Sequence, residues 1–318
     1  MQSSHEQLAP LPAAWHARLA RFRCDNRSGA AHLAAEAVSL VAQWGAAVPS
    51  SAPAPQRRMA LIDLCRTLQA AQPSMAPVLT ALNEALQRCE LAPDAAAWRA
   101  ALAAWGREWP EAAARRAAAT LAHARQALIR TAPAGIRVLT HSRSSLVERL
   151  LREAGAGMIR EVLCCESRPL CEGRDLAAAL AGAGLRARLL IDAAAATVVA
   201  GVEVVLLGAD AVLPGSLVHK IGSRGLALAA RQAGVPAYAL CPSDRWLPSE
   251  AVPLLAFVEH PADEVWAAAP AGVAVENRYF DHTPLFWLRG LVTEQGVLEA
   301  RGAPPLHTMR LHPGWRLS

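Results

Sequence analysis

Residues 202–223 read VEVVLLGADAVLPGSLVHKIGS, and this stretch decides the fold and indicates a binding site. Its first seven residues, VEVVLLG, form a largely apolar run of the length of a buried strand. Asp210 follows that run directly, and Lys220 stands just before a Gly-Ser pair at which a helical pattern begins. Polar residues that follow a buried strand lie at its carboxyl end, where open parallel sheets bind their ligands.

Four further apolar runs show the same arrangement, and each is followed by polar residues. They are RVLTHSRSS (137–145), EVLCCESRP (161–169), RLLIDAAAA (188–196) and PAYALCPSD (236–244). The pattern predicts strands near 136–141, 159–165, 186–191, 202–208 and 235–240, and helices near 144–154, 174–183, 193–200 and 222–233. Strands alternating with helices predict an α/β fold, Rossmann-like, with a parallel sheet covered by helices on both faces. The sequence contains neither G-x-G-x-x-G nor a Walker A motif.

The N-terminal part of the chain has a different pattern, in which Leu, Ala and Trp recur at helical spacing. Its last segment, Asp94 to Arg130, predicts one long helix with a kink near Pro110. The TAPAG run at 131–135 ends that helix. We therefore predict a helical domain over 1–132 and a Rossmann-like domain over 133–318.

Near the other end of the chain, Thr283 and Pro284 have the residue types of an N-cap and a first helical position. A helix is predicted to begin there, with Leu285, Phe286 and Leu288 on its apolar face.

Composition and charge limit the classes of partner. The net charge is +5 and comes from scattered arginines rather than a basic block, so no direct nucleic-acid binding is expected. The longest apolar region, 176–217, is interrupted by charged residues and does not predict a membrane span. The N-terminus lacks the basic-then-apolar order of a signal peptide.

Cysteine and histidine usage argues against metal and disulfide chemistry. The seven cysteines are odd in number and contain no C-x-x-C pair, and the ten histidines are scattered. Neither a disulfide framework nor a zinc site is indicated, and a reducing cytoplasm is expected. We expect no metal and no cofactor.

Asp210 is the candidate catalytic residue. A carboxylate at a strand end moves protons when burial raises its pKa toward neutrality. The alternative is an aspartate that caps a turn or pairs with a lysine.

Lys220 and Arg168 are candidate phosphate ligands. Lys220 precedes a helix N-terminus, where backbone N–H groups and the ammonium both attract an anion. Arg168, held extended by Pro169, offers a guanidinium suited to bidentate phosphate binding. The alternatives are an ordinary surface lysine and an ion pair between Arg168 and Glu166.

The turn after the first strand is a second candidate phosphate cradle. His141, Ser142, Arg143 and Ser144 offer hydroxyls, amides and a guanidinium at the start of the next helix. A serine hydrolase is a poor fit, because Ser142 lacks the G-x-S-x-G elbow.

Cys164 and Cys165 end the second strand and are interpreted mainly as buried, inert thiols, with a reactive thiolate near Arg168 as the alternative.

Together these motifs resemble a superfamily of three groups. They are the α, β and δ subunits of the eukaryotic translation initiation factor two-B, methylthioribose-1-phosphate isomerase and ribose-1,5-bisphosphate isomerase. The similar stretches are THSRSS (140–145), ESRPLCEGRDLA (166–177), GADAVLPG (208–215), HKIGSRGLALAA (219–230), NRYFDHTPLFWLRGLVTEQG (277–296), DNRSGAAHLAAEA (25–37) and QPSMAPVLTALNEAL (72–86). The resemblance implies a helical N-terminal domain, a Rossmann-like C-terminal domain and a homo-oligomer, usually a dimer.

At individual positions the sequence agrees with different branches of this superfamily. The resemblance implies a catalytic aspartate at Asp210, but the position of the isomerases' catalytic cysteine holds Ser142. The usual Asn-Lys pair reads His219-Lys220, and the resemblance implies that both residues bind the substrate or its phosphate. Where the isomerases have Arg-Gly-Ala, this chain has Ser28-Gly29-Ala30, and the phosphate-binding role implied for that turn passes to Ser28 and Gly29.

Two functions therefore stay open. The first is an initiation-factor-like protein that binds a phosphorylated sugar or a nucleotide monophosphate and acts in regulation, because serine is a much weaker acid and nucleophile than cysteine. The second is an aldose–ketose isomerase for a ribose-1-phosphate type substrate, with Asp210 moving the proton and Ser142 or a water assisting.

Overall fold

The computed structural model describes residues 4–9, 11–132, 135–300 and 309–316. They form two compact units. One comprises Met1–Arg115, Leu247–Ala256 and His307–Ser318, and the other comprises Arg116–Trp246 and Phe257–Leu306. The boundary predicted after residue 132 adjoins Pro133 and Ala134, which lie outside the described residues.

The first unit is helical. Its helices are α1 (Ser4–Leu8), α2 (Ala13–Cys24), α3 (Ala30–Ala47), α4 (Ala54–Ala71), α5 (Ala76–Glu90) and the first part of α6 (Ala95–Thr131). Pro55 and Pro77 stand in the first turns of α4 and α5, where a backbone N–H has no intrahelical partner to lose. Trp44, Leu64 and Leu79 are wholly buried in the core of this unit. As predicted, α6 is one long helix, and it continues through Pro110.

The second unit contains a seven-stranded sheet. Its strands are β1 (Ile136–Thr140), β2 (Ile159–Cys165), β3 (Ala187–Leu190), β4 (Val204–Leu207), β7 (Ala237–Leu240), β9 (Gly290–Thr293) and β10 (Gly296–Glu299), and they lie in the order β10-β9-β7-β4-β1-β2-β3. All neighbouring pairs are parallel except β10 with β9. The five strands predicted from the sequence are confirmed as β1, β2, β3, β4 and β7, each within about two residues of its predicted bounds.

Helices cover both faces of this sheet, as predicted. They are α7 (Ser145–Met158), α8 (Glu172–Gly182), α9 (Ala195–Val198) and α10 (Ser223–Gln232), and a short α11 (Asp263–Trp266) follows later. Side chains alternate along each strand, so that Val204 and Leu206 pack with α7, α8 and the end of α6, whereas Val205 and Leu207 pack with α9 and α10. No helix within the described residues is both long and apolar enough to cross a membrane.

A small antiparallel sheet was not predicted. It consists of β5 (Ala211–Leu213), β6 (Ser216–Lys220) and β8 (Phe280–Pro284), in the order β5-β6-β8. The helix predicted to begin at Thr283 is wrong, because Thr283 lies opposite Leu217 in this sheet and its side chain is fully buried. A single 3-10 turn, Leu285–Trp287, follows instead. Local residue types resembled a helix cap, but pairing with a strand about sixty residues away decided the conformation.

Candidate functional site

The strand-end loops after β1, β2 and β3 are joined by hydrogen bonds. The backbone N–H of Ser142 donates to Ser167 Oγ at 2.7 Å. The N–H groups of Ser167 and Arg168 donate to the two carboxylate oxygens of Asp192, at 2.7 and 2.8 Å. His141 donates from Nε2 to the Ile221 carbonyl at 2.6 Å, which connects the same loops to the end of β6. The network fixes the backbone around Ser142.

Two serines in these loops have strained backbone conformations. Ser142 has a φ of 64° and Ser167 a φ of 67°, in the left-handed region that residues with a Cβ seldom adopt. Such conformations cluster at functional sites, where the surrounding structure imposes them. Here the hydrogen bond from Ser142 N–H to Ser167 Oγ links the two strained residues. The sequence singled out Ser142 but not Ser167 or the bridging role of Asp192, although both follow predicted strands.

Asp210 and His219 form a hydrogen-bonded pair across the β5–β6 hairpin. His219 Nδ1 lies 3.0 Å from Asp210 Oδ2, and the hairpin is closed by the Asp210 N–H donating to the Val218 carbonyl. His219 is only 5% exposed, and its Nε2 has no hydrogen-bond partner in the described part of the chain. The Asp210 side chain is 15% exposed. Within the described residues the other carboxylate oxygen, Oδ1, accepts no hydrogen bond.

Gly208 allows this arrangement through its small size. A Cβ built on Gly208 would lie 2.6 Å from Ser144 Cβ and 3.0 Å from His219 Cε1. The side chains of Ser144 and His219 occupy the space that the missing Cβ leaves, so that space is not open to a ligand.

Lys220 already has partners inside the protein. The side chain is 4% exposed, and its Nζ lies 2.6 Å from Glu172 Oε1 and 4.7 Å from the centre of the Tyr279 ring. The Tyr279 hydroxyl in turn donates to Glu264 Oε2 at 2.6 Å, and the ring stacks on His260. The sequence pattern gave no signal for Glu172 or Tyr279, because both reach Lys220 through the tertiary fold.

The backbone N–H groups at the start of α10 are also occupied. Those of Gly222 and Arg224 donate to the carboxylate of Asp281, at 2.8 to 3.2 Å. Burial raises the pKa of Asp281, although these two donors work in the opposite direction. An anion therefore already sits at this helix N-terminus, and an incoming phosphate would compete with Asp281 and Glu172 for it.

The remaining candidates of the second unit lie nearer the solvent. Arg168 donates from Nη2 to the Val265 carbonyl at 3.0 Å. The alternative ion pair between Arg168 and Glu166 does not form, because Glu166 pairs with Arg174 at 2.8 Å. Arg143 pairs with Glu148 at 2.9 Å. Ser144 is the N-cap of α7, and its hydroxyl accepts from the Val147 N–H.

Ser28 and Gly29 belong to the first unit, where Gly29 directly precedes α3. The Ser28 N–H donates to Asp25 Oδ1 at 2.8 Å, and the Arg27 N–H donates to the same oxygen. A Cβ on Gly29 would touch nothing within 4 Å. The turn thus holds a carboxylate of its own, and the space beside Gly29 is open.

The two thiols at the end of β2, those of Cys164 and Cys165, are buried. Burial raises the pKa of Cys164 and of Cys165 to about 12, which keeps both protonated at neutral pH. Cys165, His141 and Asp192 bring one potential metal-ligand atom each within 4.8 Å of one another, a grouping that sequence spacing does not reveal. Because both Asp192 oxygens accept backbone N–H groups and His141 is bonded to Ile221, we interpret the three as the hydrogen-bonding support of the loops.

Comparison with known proteins places these observations in a family. The model of the Initiation factor 2 subunit family matches residues 27–300. A probable bifunctional methylthioribose-1-phosphate isomerase/methylthioribulose-1-phosphate dehydratase of Nocardia farcinica is 36% identical over 207 residues, 58% of this chain and 36% of that protein. Ribose 1,5-bisphosphate isomerase of Methanocaldococcus jannaschii is 30% identical over 174 residues, 53% of this chain and 56% of that protein.

The matched part thus spans about half, or less, of the length of these curated relatives. Among solved structures, the translation initiation factor eIF-2B of Pyrococcus horikoshii superposes with a TM-score of 0.76 at 22% identity, over 91% of this chain and 98% of that one. At this identity the likeness shows a shared fold.

Proposed function

Because the chain belongs to the Initiation factor 2 subunit family, we propose that it is an aldose–ketose isomerase acting on a ribose-1-phosphate type substrate. The observation that carries the proposal is the Asp210–His219 pair at the sheet's carboxyl end. Asp210 Oδ2 is held at 3.0 Å by His219, and no hydrogen bond to Oδ1 is found within the described residues. Relatives named as isomerases of phosphorylated sugars support this reaction class.

The proposed reaction moves protons and conserves every atom. A base removes the proton from carbon 2, and the electron pair forms the double bond between carbons 1 and 2. The bond from carbon 1 to the ring oxygen breaks, and that oxygen takes up a proton. The hydroxyl on carbon 2 then loses its proton and becomes the carbonyl, while carbon 1 takes a proton. We assign both proton transfers, from carbon 2 and to carbon 1, to Asp210 Oδ1, because one positioned carboxylate can accept a proton and then donate it.

Ser142 and the cationic residues take supporting roles in this proposal. Ser142 lies on the turn after β1. Its hydroxyl, or a water beside it, supplies the proton that the ring oxygen takes up. Arg168 is assigned to phosphate, together with Lys220 once phosphate displaces Glu172. The phosphate-binding role of Ser28 and Gly29 in the first unit stays a prediction. The homodimer and the cytoplasmic location stay predictions.

A second candidate function is binding of a phosphorylated sugar or nucleotide monophosphate without turnover. Two observations favour it. Ser142 replaces the cysteine implied by the resemblance, and Lys220 is already neutralised by Glu172. In that case the same residues recognise the ligand and the protein acts in regulation.

A phosphorus NMR time course separates the two functions. The purified protein is incubated with ribose 1,5-bisphosphate and, separately, with methylthioribose 1-phosphate. We expect ketose product from one of them, abolished by Asp210→Asn and unaffected by Asp175→Asn, which alters an exposed carboxylate on α8. Broadened substrate signals without product would favour the binding protein. Product formation that survives Asp210→Asn would overturn the assignment of Asp210.

A further inference from the structure

A cavity of about 330 Å³ lies in the helical unit, apart from every residue assigned above. Its lining comes from the start of α4, the end of α5, the first turns of α6 and the segment around His312. Leu61, Leu86 and Trp98 are each at most 4% exposed and give it an apolar wall. The volume lies at the lower end of the range for small-molecule sites.

Arg57 puts an uncompensated charge into this wall. The residue is 6% exposed, yet no carboxylate of the described residues lies within ion-pair distance of it. Its guanidinium donates from Nη1 to the Ala52 carbonyl and lies over the Trp98 ring at 5.8 Å, while Nε has no hydrogen-bond partner in the described chain. A buried charge without a counter-ion is strongly unfavourable.

Glu90 is the carboxylate in the cavity lining, and its oxygens are already used. Oε1 lies 2.8 Å from Arg58 Nη2. Oε2 accepts from His312 Nε2, whose hydrogen is assigned there because the Gly314 N–H donates to Nδ1 at 2.9 Å. With a neutral His312, the described lining residues carry one net positive charge, from Arg57, Arg58 and Glu90.

We propose that this cavity binds a small monocarboxylate with an apolar, preferably aromatic, body. The carboxylate would pair with the guanidinium of Arg57, an interaction that is strong because both groups are charged. The apolar body would pack against Leu61, Leu86 and Trp98. One net positive charge suits a monoanion better than a phosphate dianion, and an apolar wall disfavours a hydrated sugar.

Calorimetric titration with benzoate tests the proposal, with its uncharged counterpart benzamide and with inorganic phosphate as comparison probes. We expect benzoate to bind to the full chain and benzamide and phosphate to bind at least tenfold more weakly. Arg57→Met should weaken benzoate at least tenfold, and Arg57→Lys less. Arg21→Met, which changes an exposed arginine on α2, should have no effect.

The comparison of benzoate with benzamide needs no variant, so it decides the matter even if Arg57→Met fails to fold. Equal binding of the two probes, no binding of benzoate up to 10 millimolar, or full affinity in a folded Arg57→Met protein would each overturn the proposal. Asp210→Asn should leave benzoate binding unchanged, which distinguishes this cavity from the sheet site.

Discussion

At the scale of single residues, the candidate site depends on which groups each polar side chain already contacts. Asp210 keeps one oxygen available because His219 holds the other. Lys220 and the N–H groups before α10 are engaged by Glu172 and Asp281. In the proposed reaction Asp210 therefore needs no rearrangement, whereas the proposed phosphate binding at Lys220 requires Glu172 to move.

His219 is expected to position Asp210 rather than to contact the substrate, since its free nitrogen is buried. His219→Ala removes a hydrogen bond to a charged group, worth about 1.5–3 kcal/mol, so we expect kcat to fall roughly 10- to 100-fold. KM should change little. His219→Asn, which keeps an N–H donor, should restore part of kcat. Steady-state kinetics on all three proteins checks this, and a loss confined to KM would contradict a positioning role.

Ser142 occupies the position at which the resemblance implies a cysteine. Ser142→Cys changes one atom on a backbone that is already held, so the fold should persist. Because a thiol transfers protons more readily than a hydroxyl, we expect kcat to rise by roughly 10²-fold. Alkylation should abolish the gain, whereas the buried native thiols Cys164 and Cys165 should resist it. An unchanged kcat would indicate that the absence of a thiol at residue 142 does not limit turnover.

At the scale of elements, α8 packs against the end of β2 through a glycine. A Cβ on Gly173 would lie 1.7 Å from the Cys165 carbonyl oxygen, an atom that cannot withdraw without distorting the strand. This contact brings α8, and with it Glu172, up to Lys220. The close approach of helix to strand is therefore part of the site as well as of the core.

Gly173→Ala is expected to lower the free energy of unfolding by about 2–4 kcal/mol through overpacking. Gly182→Ala is the matched control in the same helix, because its added Cβ would meet nothing within 4 Å. That change should be neutral or stabilise by up to about 1 kcal/mol. Urea unfolding of both variants gives the comparison, and equal free energies would refute the packing argument.

At the scale of the whole molecule, the buried side chain of His141 makes stability depend on pH. Burial lowers the pKa of His141 to about 4, although its hydrogen bond to Ile221 and the nearby Asp192 work in the opposite direction. The unfolded chain binds a proton on this histidine below about pH 6.5 while the folded chain does not. The free energy of unfolding is therefore unaffected by His141 above that pH, and it decreases as the pH falls from about 6.5 toward 4.

Between pH 7 and pH 5 this linkage should remove about 2 kcal/mol from the free energy of unfolding. Equilibrium urea unfolding at the two pH values measures the change. His141→Gln lacks the titrating group, so its free energy should fall less over the same interval. If the variant and the native protein lose stability equally, other groups account for the acid sensitivity.

The sequence by itself determined the α/β class, the five parallel strands and the helical N-terminal part. Each of these depends on the local alternation of apolar and polar residues, which a single chain displays directly. The same alternation also placed Asp210 and Ser142 at strand ends, because polar residues after buried runs emerge at one edge of the sheet.

Only the tertiary structure decided the β5–β6–β8 sheet, the Asp210–His219 pair and the partners of Lys220. Thr283 becomes part of a strand because Leu217 lies opposite it, and Glu172 reaches Lys220 because Gly173 lets α8 approach β2. These contacts join residues that are distant in sequence, and their energies depend on distance and burial. Residue type and spacing carry neither quantity. The second Asp210 oxygen and the Arg57 guanidinium, which lack a hydrogen bond and an ion pair, respectively, within the described residues, could therefore be recognised only in the folded chain.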